Sequence, residues 1–399
     1  MMNNNVDVPI IKFEDDPAPF EFVKPNGYYQ VGDKFFNFKV TAFAEATRTK
    51  QDPKWWFNND VLDTFNWRKP VETDIYELYK MRAQQLRDKY DYLIVSYSGG
   101  SDTSTLVNAF LDNGIHLDEI IVDWALTEQG KYTPNTLDKS SSNFLSEWDF
   151  SIKPQLDRIR KDFPRTKITI TDSTEEFGVE DNHDTCLITH RHHYVSAKRW
   201  RKLAQRTSEI MEKYPNSAMI MGTEKPGLYI FKNVLCLFFY DDACFFKSSC
   251  LDPVRRIEYF YWTPDLPDLM AKQAQLIYKY LLVNPQHRSI IVPPPSSRDG
   301  IETDYFLLNS NLRMQLMKSI IYPKWDQRIF QAGKVASTID NPNHIWTKRD
   351  NNHWSLQSWR SNMRSWQNAL DSKYYLLDKS GNIRDYLTIP GKLHPIGAF

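Results

Sequence analysis

Apolar residues along the middle of the chain switch repeatedly between two spacings. Short apolar runs rich in β-branched residues lie at 92–97, 117–124, 166–171 and 218–222, and each is typical of a buried strand. Apolar positions at helical spacing begin at residue 73 and recur at 103–113, 153–163 and 189–214. Strands that alternate with helices predict an α/β fold with a doubly wound parallel sheet.

The segments on either side of this core have other patterns. Residues 18–47 carry alternating aromatic residues around Pro-Asn-Gly and Val-Gly-Asp corners, which predicts short antiparallel strands, and 51–70 is a Trp-rich connector. After residue 226 we expect a β-hairpin, an aromatic strand near residue 257 and an amphipathic helix at 266–282, then a linker at 292–300. The expected domains are a β-rich extension over 1–72, a five-stranded doubly wound domain over 73–290 and a mainly helical, Trp-rich region over 291–399.

Composition narrows the class of protein. Hydrophobic residues make up 41% and aromatic residues 14% of the 399 residues, which excludes a disordered tail protein. Fifty basic and fifty acidic residues cancel, so the net charge gives no support to a large nucleic-acid footprint. The four cysteines form no CxxC pair, and we find no secretory signal and no membrane-length apolar run. We therefore expect a cytoplasmic protein with no membrane partner.

One corner of the core pattern carries candidate chemistry. In "YLIVSYSGGSDTSTLVNAF", a strand stops at Gly99 and Gly100, and a helix begins near Asp102. The two glycines let the backbone turn sharply and let a ligand approach closely. Hydroxyl groups are supplied by Ser98, Ser101 and Thr103. Together with the free amides and the positive dipole end of the helix, they predict an anion hole that suits phosphates.

This corner is neither a Walker A loop nor a GxGxxG turn, but "SGGSDT" resembles the S-G-G-x-D-[ST] signature of the PP-loop ATP pyrophosphatases. That superfamily, also called the adenine nucleotide α-hydrolases, includes asparagine synthetase, GMP synthetase and the phosphoadenosine phosphosulfate reductases. The resemblance covers roughly residues 75–260. It implies a Rossmann-like fold of the HUP type, with ATP and Mg²⁺ as ligands.

Members of the family cleave ATP between its α- and β-phosphates while an acceptor oxygen attacks the α-phosphate. The resemblance implies that one set of loop residues would grip the pyrophosphate, namely Ser98, Gly99, Gly100, Ser101 and Thr103. Asp102 would help to place Mg²⁺. A simple helix-capping role for Asp102 is the structural alternative, and the two roles can coexist.

Two other strand ends carry candidates. Asp123 ends the second strand, where it would accept a hydrogen bond from the nucleotide or cap the strand. Gly222 opens the sequence Gly-Thr-Glu-Lys, which is similar to a glycine–acid element of the family. There Glu224 would hold metal or position the acceptor amine, and Lys225 or Lys232 would stabilise charge on the phosphates. The alternative is a polar turn before the hairpin.

A predicted helix before the fourth strand carries metal-ligand residue types and cations. Its zinc-compatible face consists of His183, Cys186, His190 and His193. One straight helix cannot wrap four ligands around an ion, so we expect a buried helix rather than a zinc site. Arg191 and Lys198 are alternative contacts to an anionic substrate.

Three functional hypotheses stay open. The first is an enzyme that adenylylates an oxygen of a small molecule, nucleobase or tRNA base and then exchanges AMP for nitrogen or sulfur. No cysteine precedes Cys186, so a glutaminase domain is missing and ammonia or sulfur would come free or from a partner.

The second hypothesis is a phosphoadenosine phosphosulfate reductase-like enzyme, although no cysteine follows Cys250 and the reductases' catalytic Cys motif is absent. The third is a nucleotide-binding structural or regulatory protein with a vestigial loop. Aromatic residues in the terminal regions are more typical of a core or a homo-oligomer surface than of base stacking. The Asn-rich start and Trp-rich tail suggest a phage-encoded protein in a host cytoplasm.

Overall fold

The structure is a computed structural model that describes most of the chain in separate ranges. These ranges are 27–36, 39–131, 133–137, 143, 145–172, 209–210, 212–222, 227–239, 241, 257–292, 316–326, 329, 370–377, 383–387 and 389–399.

The described residues form the following elements. The strands are β1 Tyr28–Val31, β2 Lys34–Phe36, β3 Lys54–Trp56, β4 Tyr92–Ser96, β5 Glu119–Trp124, β6 Lys167–Asp172, β7 Ser217–Met221, β8 Gly227–Phe231, β9 Val234–Phe238, β10 Ile257–Tyr259, β11 Tyr375–Leu377, β12 Ile383–Tyr386 and β13 His394–Ala398. The helices are α1 Lys39–Thr49, α2 Asn59–Leu62, α3 Ile75–Lys89, α4 Ser101–Leu111, α5 Leu126–Gln129, α6 Lys153–Asp162, α7 Pro267–Val283, α8 Arg288–Ile291 and α9 at 316–321. A π-helical turn, Trp148–Ile152, leads into α6.

A five-stranded parallel sheet forms the centre of the fold. Its strand order is β10-β7-β4-β5-β6, and every neighbouring pair is parallel. The strands β4, β5 and β7 are almost wholly buried, as expected for parallel strands that are covered on both faces. The predicted α/β class and five-stranded parallel sheet are therefore confirmed.

Helices α3, α4, α6 and α7 agree with the predicted helical spacing to within a few residues. The Asp74 side chain caps α3 by accepting from the Tyr76 amide at 2.8 Å. Helix α4 contacts α3 on one side. From α6, Gln155 and Arg158 both donate to the Asn108 side chain of α4. Helix α4, which follows the glycine loop, is thus held by two neighbouring helices.

The N-terminal region differs from its prediction. The hairpin β1–β2 lies where strands were expected, but residues 39–49 form helix α1 instead of continuing the strands. Buried Ala42, Phe43 and Ala46 lie on α1, and alanine favours a helix over a strand. The segment 51–70, predicted to be a connector, contributes β3, which pairs with β1 in a three-stranded sheet.

The hairpin β8–β9 is confirmed, and a strand from the C-terminal region completes it. Strand β13 pairs antiparallel with β9 in a three-stranded sheet. The described part of residues 291–399 therefore contains the strands β11, β12 and β13, which the expectation of a mainly helical region did not include. Pairing with β9, about 160 residues away in sequence, decides the state of β13, and no local pattern signals it.

Asp241 ties distant parts of the chain together. Its side chain is fully buried and accepts from the Tyr29 hydroxyl at 2.9 Å and from the Ile389 amide at 3.1 Å. Its carboxylate also lies 3.0 Å from the Lys39 ammonium group. Because these partners come from β1, α1 and the C-terminal region, one carboxylate holds both terminal regions of the chain against the end of the β8–β9 hairpin.

In the part of the chain that the structure describes, we find no helix with the length and apolarity needed to span a bilayer.

Candidate functional site

The strand order defines a crevice between β4 and β7. The chain runs from β4 outward to β5 and β6, and then returns to the other side of β4 for β7 and β10. Connections that leave neighbouring strands in opposite directions open a crevice beyond their carboxyl ends, which is where open α/β sheets bind ligands. The Ser98–Thr103 loop follows β4 directly, so it lies at this point of the sheet.

The loop turns into α4 through two glycines with different backbone conformations. Gly99 has φ +76°, a left-handed conformation that favours glycine. Gly100 is the residue before α4, with an extended backbone at φ −74° and ψ 165°. The Ser104 amide donates to the Gly100 carbonyl at 2.9 Å, which closes the first helical turn.

Side chains on two sides of the loop fix its carbonyl groups. Ser151, from the π-helical turn, donates to the Gly99 carbonyl at 2.6 Å. Thr103 donates to the Gly100 carbonyl at 3.3 Å, and its hydroxyl also lies 3.3 Å from that of Ser98. A Cβ atom on Gly99 would lie only 2.5 Å from Cγ1 of Ile152. Gly99 therefore has a packing role as well as a turning role.

The carbonyl groups of Gly99 and Gly100 accept hydrogen bonds, whereas the amides of the same two residues donate none to the described part of the chain. Within the described residues, the amides of Gly99, Gly100 and Ser101 have no hydrogen-bond acceptor, although all three residues are buried. The Ser101 hydroxyl is fully buried and likewise lacks a partner there. Buried donors without an acceptor cost free energy, and a bound anion would supply the acceptor.

Asp102 lies beside three buried tyrosines, Tyr79, Tyr261 and Tyr322, which we call the tyrosine cluster. The Tyr261 hydroxyl donates to the backbone carbonyl of Asp102 at 2.7 Å. Ring centroids in the cluster are 5.6 Å apart for Tyr79 and Tyr261, and 5.5 Å apart for Tyr261 and Tyr322. The cluster joins α3, the turn after β10 and the residue after α9 to the first turn of α4.

The cluster is electrostatically coupled to the Asp102 carboxylate. Burial first, and then the negative charge of Asp102, raises the pKa of Tyr322 well above its ordinary value. Burial also raises the pKa of Tyr261 well above its ordinary value, and the negative charge of Asp102 adds to the rise. The three phenols therefore stay neutral; Tyr79 and Tyr261 donate hydrogen bonds to backbone carbonyls, and all three rings pack near the first turn of α4.

The strand-end candidates fall on the same edge of the sheet as the loop. Gly222 follows β7, and a Cβ atom on it would lie 3.2 Å from Cα of Thr103, so the end of β7 packs directly against the start of α4. Asp123 is half-buried near the end of β5, where it pairs in register with Thr171. The Tyr97 amide donates to the Ile121 carbonyl, which places Asp123 close along the sheet to the glycine loop.

Other candidates are not brought to the loop by any described contact. Lys232 is exposed in the turn between β8 and β9, with φ +47°, and its ammonium group lies 5.3 Å from the Phe231 ring. Further candidates lie outside the described residues, namely Glu224, Lys225, Arg191, Lys198, His183, Cys186, His190 and His193. Among the residues that the structure describes, no group of three or more His, Cys, Asp or Glu side chains could hold a metal ion.

Sequence reasoning missed several residues that shape the loop. Ser151 and Ile152 pack on Gly99 from a turn about 50 residues away, and Tyr261 binds α4 from about 160 residues away. The run "YFYW" at 259–262 indicated only the aromatic strand expected near residue 257. Nothing in its spacing distinguished Tyr261 from its aromatic neighbours.

Comparison of the chain with protein-family models found no match, and comparison with curated protein sequences found none either. The arguments for function therefore rest on the loop, its position in the sheet and the residues around it.

Proposed function

We propose that the protein catalyses ATP-dependent adenylyl transfer in the manner of a PP-loop ATP pyrophosphatase. The observation that carries the proposal is the row of buried amides without an acceptor at Gly99, Gly100 and Ser101, at the crevice between β4 and β7. A pyrophosphate group presents several anionic oxygens, and the positive end of α4 favours negative charge at the same place.

The residues present suit a triphosphate nucleotide with Mg²⁺. The loop amides and the Ser101 hydroxyl supply donors to the β- and γ-phosphates, and Asp102 supplies a half-buried carboxylate in the first turn of α4. When bound, Mg²⁺ neutralises charge on the phosphate oxygens and on the leaving group. Asp123, near the end of β5, is the candidate contact to the nucleoside.

The proposed reaction breaks one bond of ATP. An oxygen of the acceptor forms a bond to the α-phosphorus, the bond from that phosphorus to the bridging oxygen breaks, and pyrophosphate leaves. A nitrogen or sulfur nucleophile then displaces AMP from the acceptor. The loop's part is to bind the leaving pyrophosphate and to stabilise its charge with fixed amides.

Pyrophosphate release from ATP, measured across a panel of carboxylate, amide and nucleobase acceptors, tests the proposal. We expect release to require Mg²⁺ and to fall by orders of magnitude in Asp102→Ala. Asp112→Ala is a matched control, because Asp112 lies at the opposite end of the same helix, where it pairs with Arg158. Turnover that survives Asp102→Ala unchanged would refute the proposal.

Calorimetry with ATP and Mg²⁺ separates the alternatives. Binding without turnover on any acceptor would favour the structural or regulatory hypothesis. Thioredoxin-coupled reduction of adenylyl sulfates would favour the phosphosulfate reductase-like hypothesis instead.

A further inference from the structure

Tyr261 connects the first turn of α4 to the edge of the central sheet. It follows β10 closely, and the preceding residue, Phe260, donates its amide to the Met221 carbonyl at the end of β7. The Tyr261 side chain is fully buried, and its hydroxyl donates to the Asp102 carbonyl at 2.7 Å. The bond therefore joins the turn beyond β7 and β10 to the helix that begins at the glycine loop.

This hydrogen bond is additional to those of the helix. Inside an α-helix, a carbonyl already accepts from the amide four residues ahead, so the phenol is not needed to form α4. It is a donor from outside the helix, and it bonds a residue of the first turn. Its effect is to hold that turn in position relative to β7 and β10.

Neighbouring groups fix the Tyr261 ring in turn. Tyr79 packs edge-on against it, and the Tyr79 hydroxyl donates to the Ile321 carbonyl at 2.7 Å while accepting from Gln273 at 3.1 Å. Tyr322 also packs against Tyr261, and its ring centroid lies 6.2 Å from that of Tyr79, so each of the three rings contacts the other two. The residues at the end of α9 are thus part of the support for the loop, although they lie some 220 residues away in sequence.

We infer that Tyr261 is a positioning residue for the glycine loop, which aims the amides of Gly99, Gly100 and Ser101 by holding the Asp102 carbonyl. The ligand in this inference, a pyrophosphate group, rests on the proposed function. In this inference Tyr261 acts on the loop through its hydrogen bond to the Asp102 carbonyl. The segment at Ile321 and Tyr322 supports the tyrosine cluster from the C-terminal region.

The first test is calorimetric binding of inorganic pyrophosphate with Mg²⁺ to the full chain. Tyr261→Phe keeps the ring and removes only the hydroxyl, and we expect pyrophosphate to bind roughly two- to tenfold more weakly. Tyr278→Phe is the matched control, because it removes a tyrosine hydroxyl that also donates to a backbone carbonyl, that of Ala398, and contacts neither α4 nor the tyrosine cluster. Its affinity should stay close to that of the wild type. Equal affinities for wild type and Tyr261→Phe would overturn the inference while leaving the proposed function standing.

The second test needs no ligand. Amide hydrogen exchange in the first turn of α4 should speed up by roughly two- to tenfold in Tyr261→Phe, and stay unchanged in Tyr278→Phe. Unchanged exchange in Tyr261→Phe, or an equal increase in both variants, would show a general packing role and overturn the inference. If the wild type does not bind pyrophosphate, the proposed function is refuted, and so is the inference that Tyr261 positions the loop for pyrophosphate.

Discussion

Replacing Gly99 by alanine perturbs the glycine loop in two separable ways. The residue has φ +76°, so an L side chain is strained there whatever space surrounds it. The new methyl group would also lie 3.2 Å from the Ser151 hydroxyl and only 2.5 Å from Cγ1 of Ile152. The distance to Ile152 is far shorter than an ordinary van der Waals contact. Ile152 is fully buried and cannot move aside without disturbing its neighbours.

The expected cost is the sum of the two effects. The left-handed backbone costs an alanine about 1–2 kcal/mol. Overpacking against a buried side chain costs about 1–3 kcal/mol more. Gly99→Ala should therefore lower the free energy of unfolding by about 2–5 kcal/mol. That is a large fraction of the total stability of a folded domain, which is usually about 5–15 kcal/mol.

Urea unfolding of Gly99→Ala and Gly114→Ala separates the two effects. Gly114 has φ +69°, but a Cβ atom there would meet nothing within 4 Å. Gly114→Ala should therefore lose only the backbone part, about 1–2 kcal/mol. The difference between the two variants measures the contact with Ile152.

A double-mutant cycle gives the refuting result. Ile152→Ala removes the atom that the new methyl group would strike, so Gly99→Ala should cost less in that background, with a coupling of about 0.5–3 kcal/mol. Additive costs, or equal destabilisation by Gly99→Ala and Gly114→Ala, would show that the loop is not packed against the π-helical turn as described.

Two further predictions concern the support around the sheet. Asp241→Ala leaves the Lys39 ammonium group, only 13% exposed, without its buried carboxylate, and should lower the free energy of unfolding by about 3–5 kcal/mol. Asp52→Ala, the control, removes an exposed ion pair with Lys373 and should leave the urea midpoint unchanged. Equal effects of the two substitutions would contradict the structural role given to Asp241. Burial of His394 against Trp67 lowers its pKa to about 4, below the ordinary 6.5. As the pH falls, His394 is therefore protonated in the unfolded chain before it is protonated in the folded chain. The free energy of unfolding should decrease by about 2 kcal/mol between pH 7.5 and pH 5. In thermal unfolding, His394→Leu should reduce the dependence of stability on pH in this range. An unchanged pH dependence would show that His394 is not its source.

The core of the fold was predictable because its signals are local. The strands β4 to β7 and the helices α3, α4 and α6 follow from apolar spacing within windows of about 10 residues. The same windows misassigned residues 39–49, where aromatic alternation upstream suggested strands but the buried alanine face formed α1. Strands β3 and β13 escaped prediction because their pairing partners, and not their own sequences, decide their conformation.

The candidate site divides in the same way. The residue types of the Ser98–Thr103 loop, including the glycine that a left-handed turn at residue 99 requires, follow from the sequence by itself, because a strand–glycine–helix corner is a local event. Only the tertiary structure placed that corner at the β4–β7 crevice, packed Ile152 on Gly99 and bonded Tyr261 to Asp102. Strand order and contacts between residues 50 to 160 positions apart depend on how the whole chain packs, and local spacing carries no information about them.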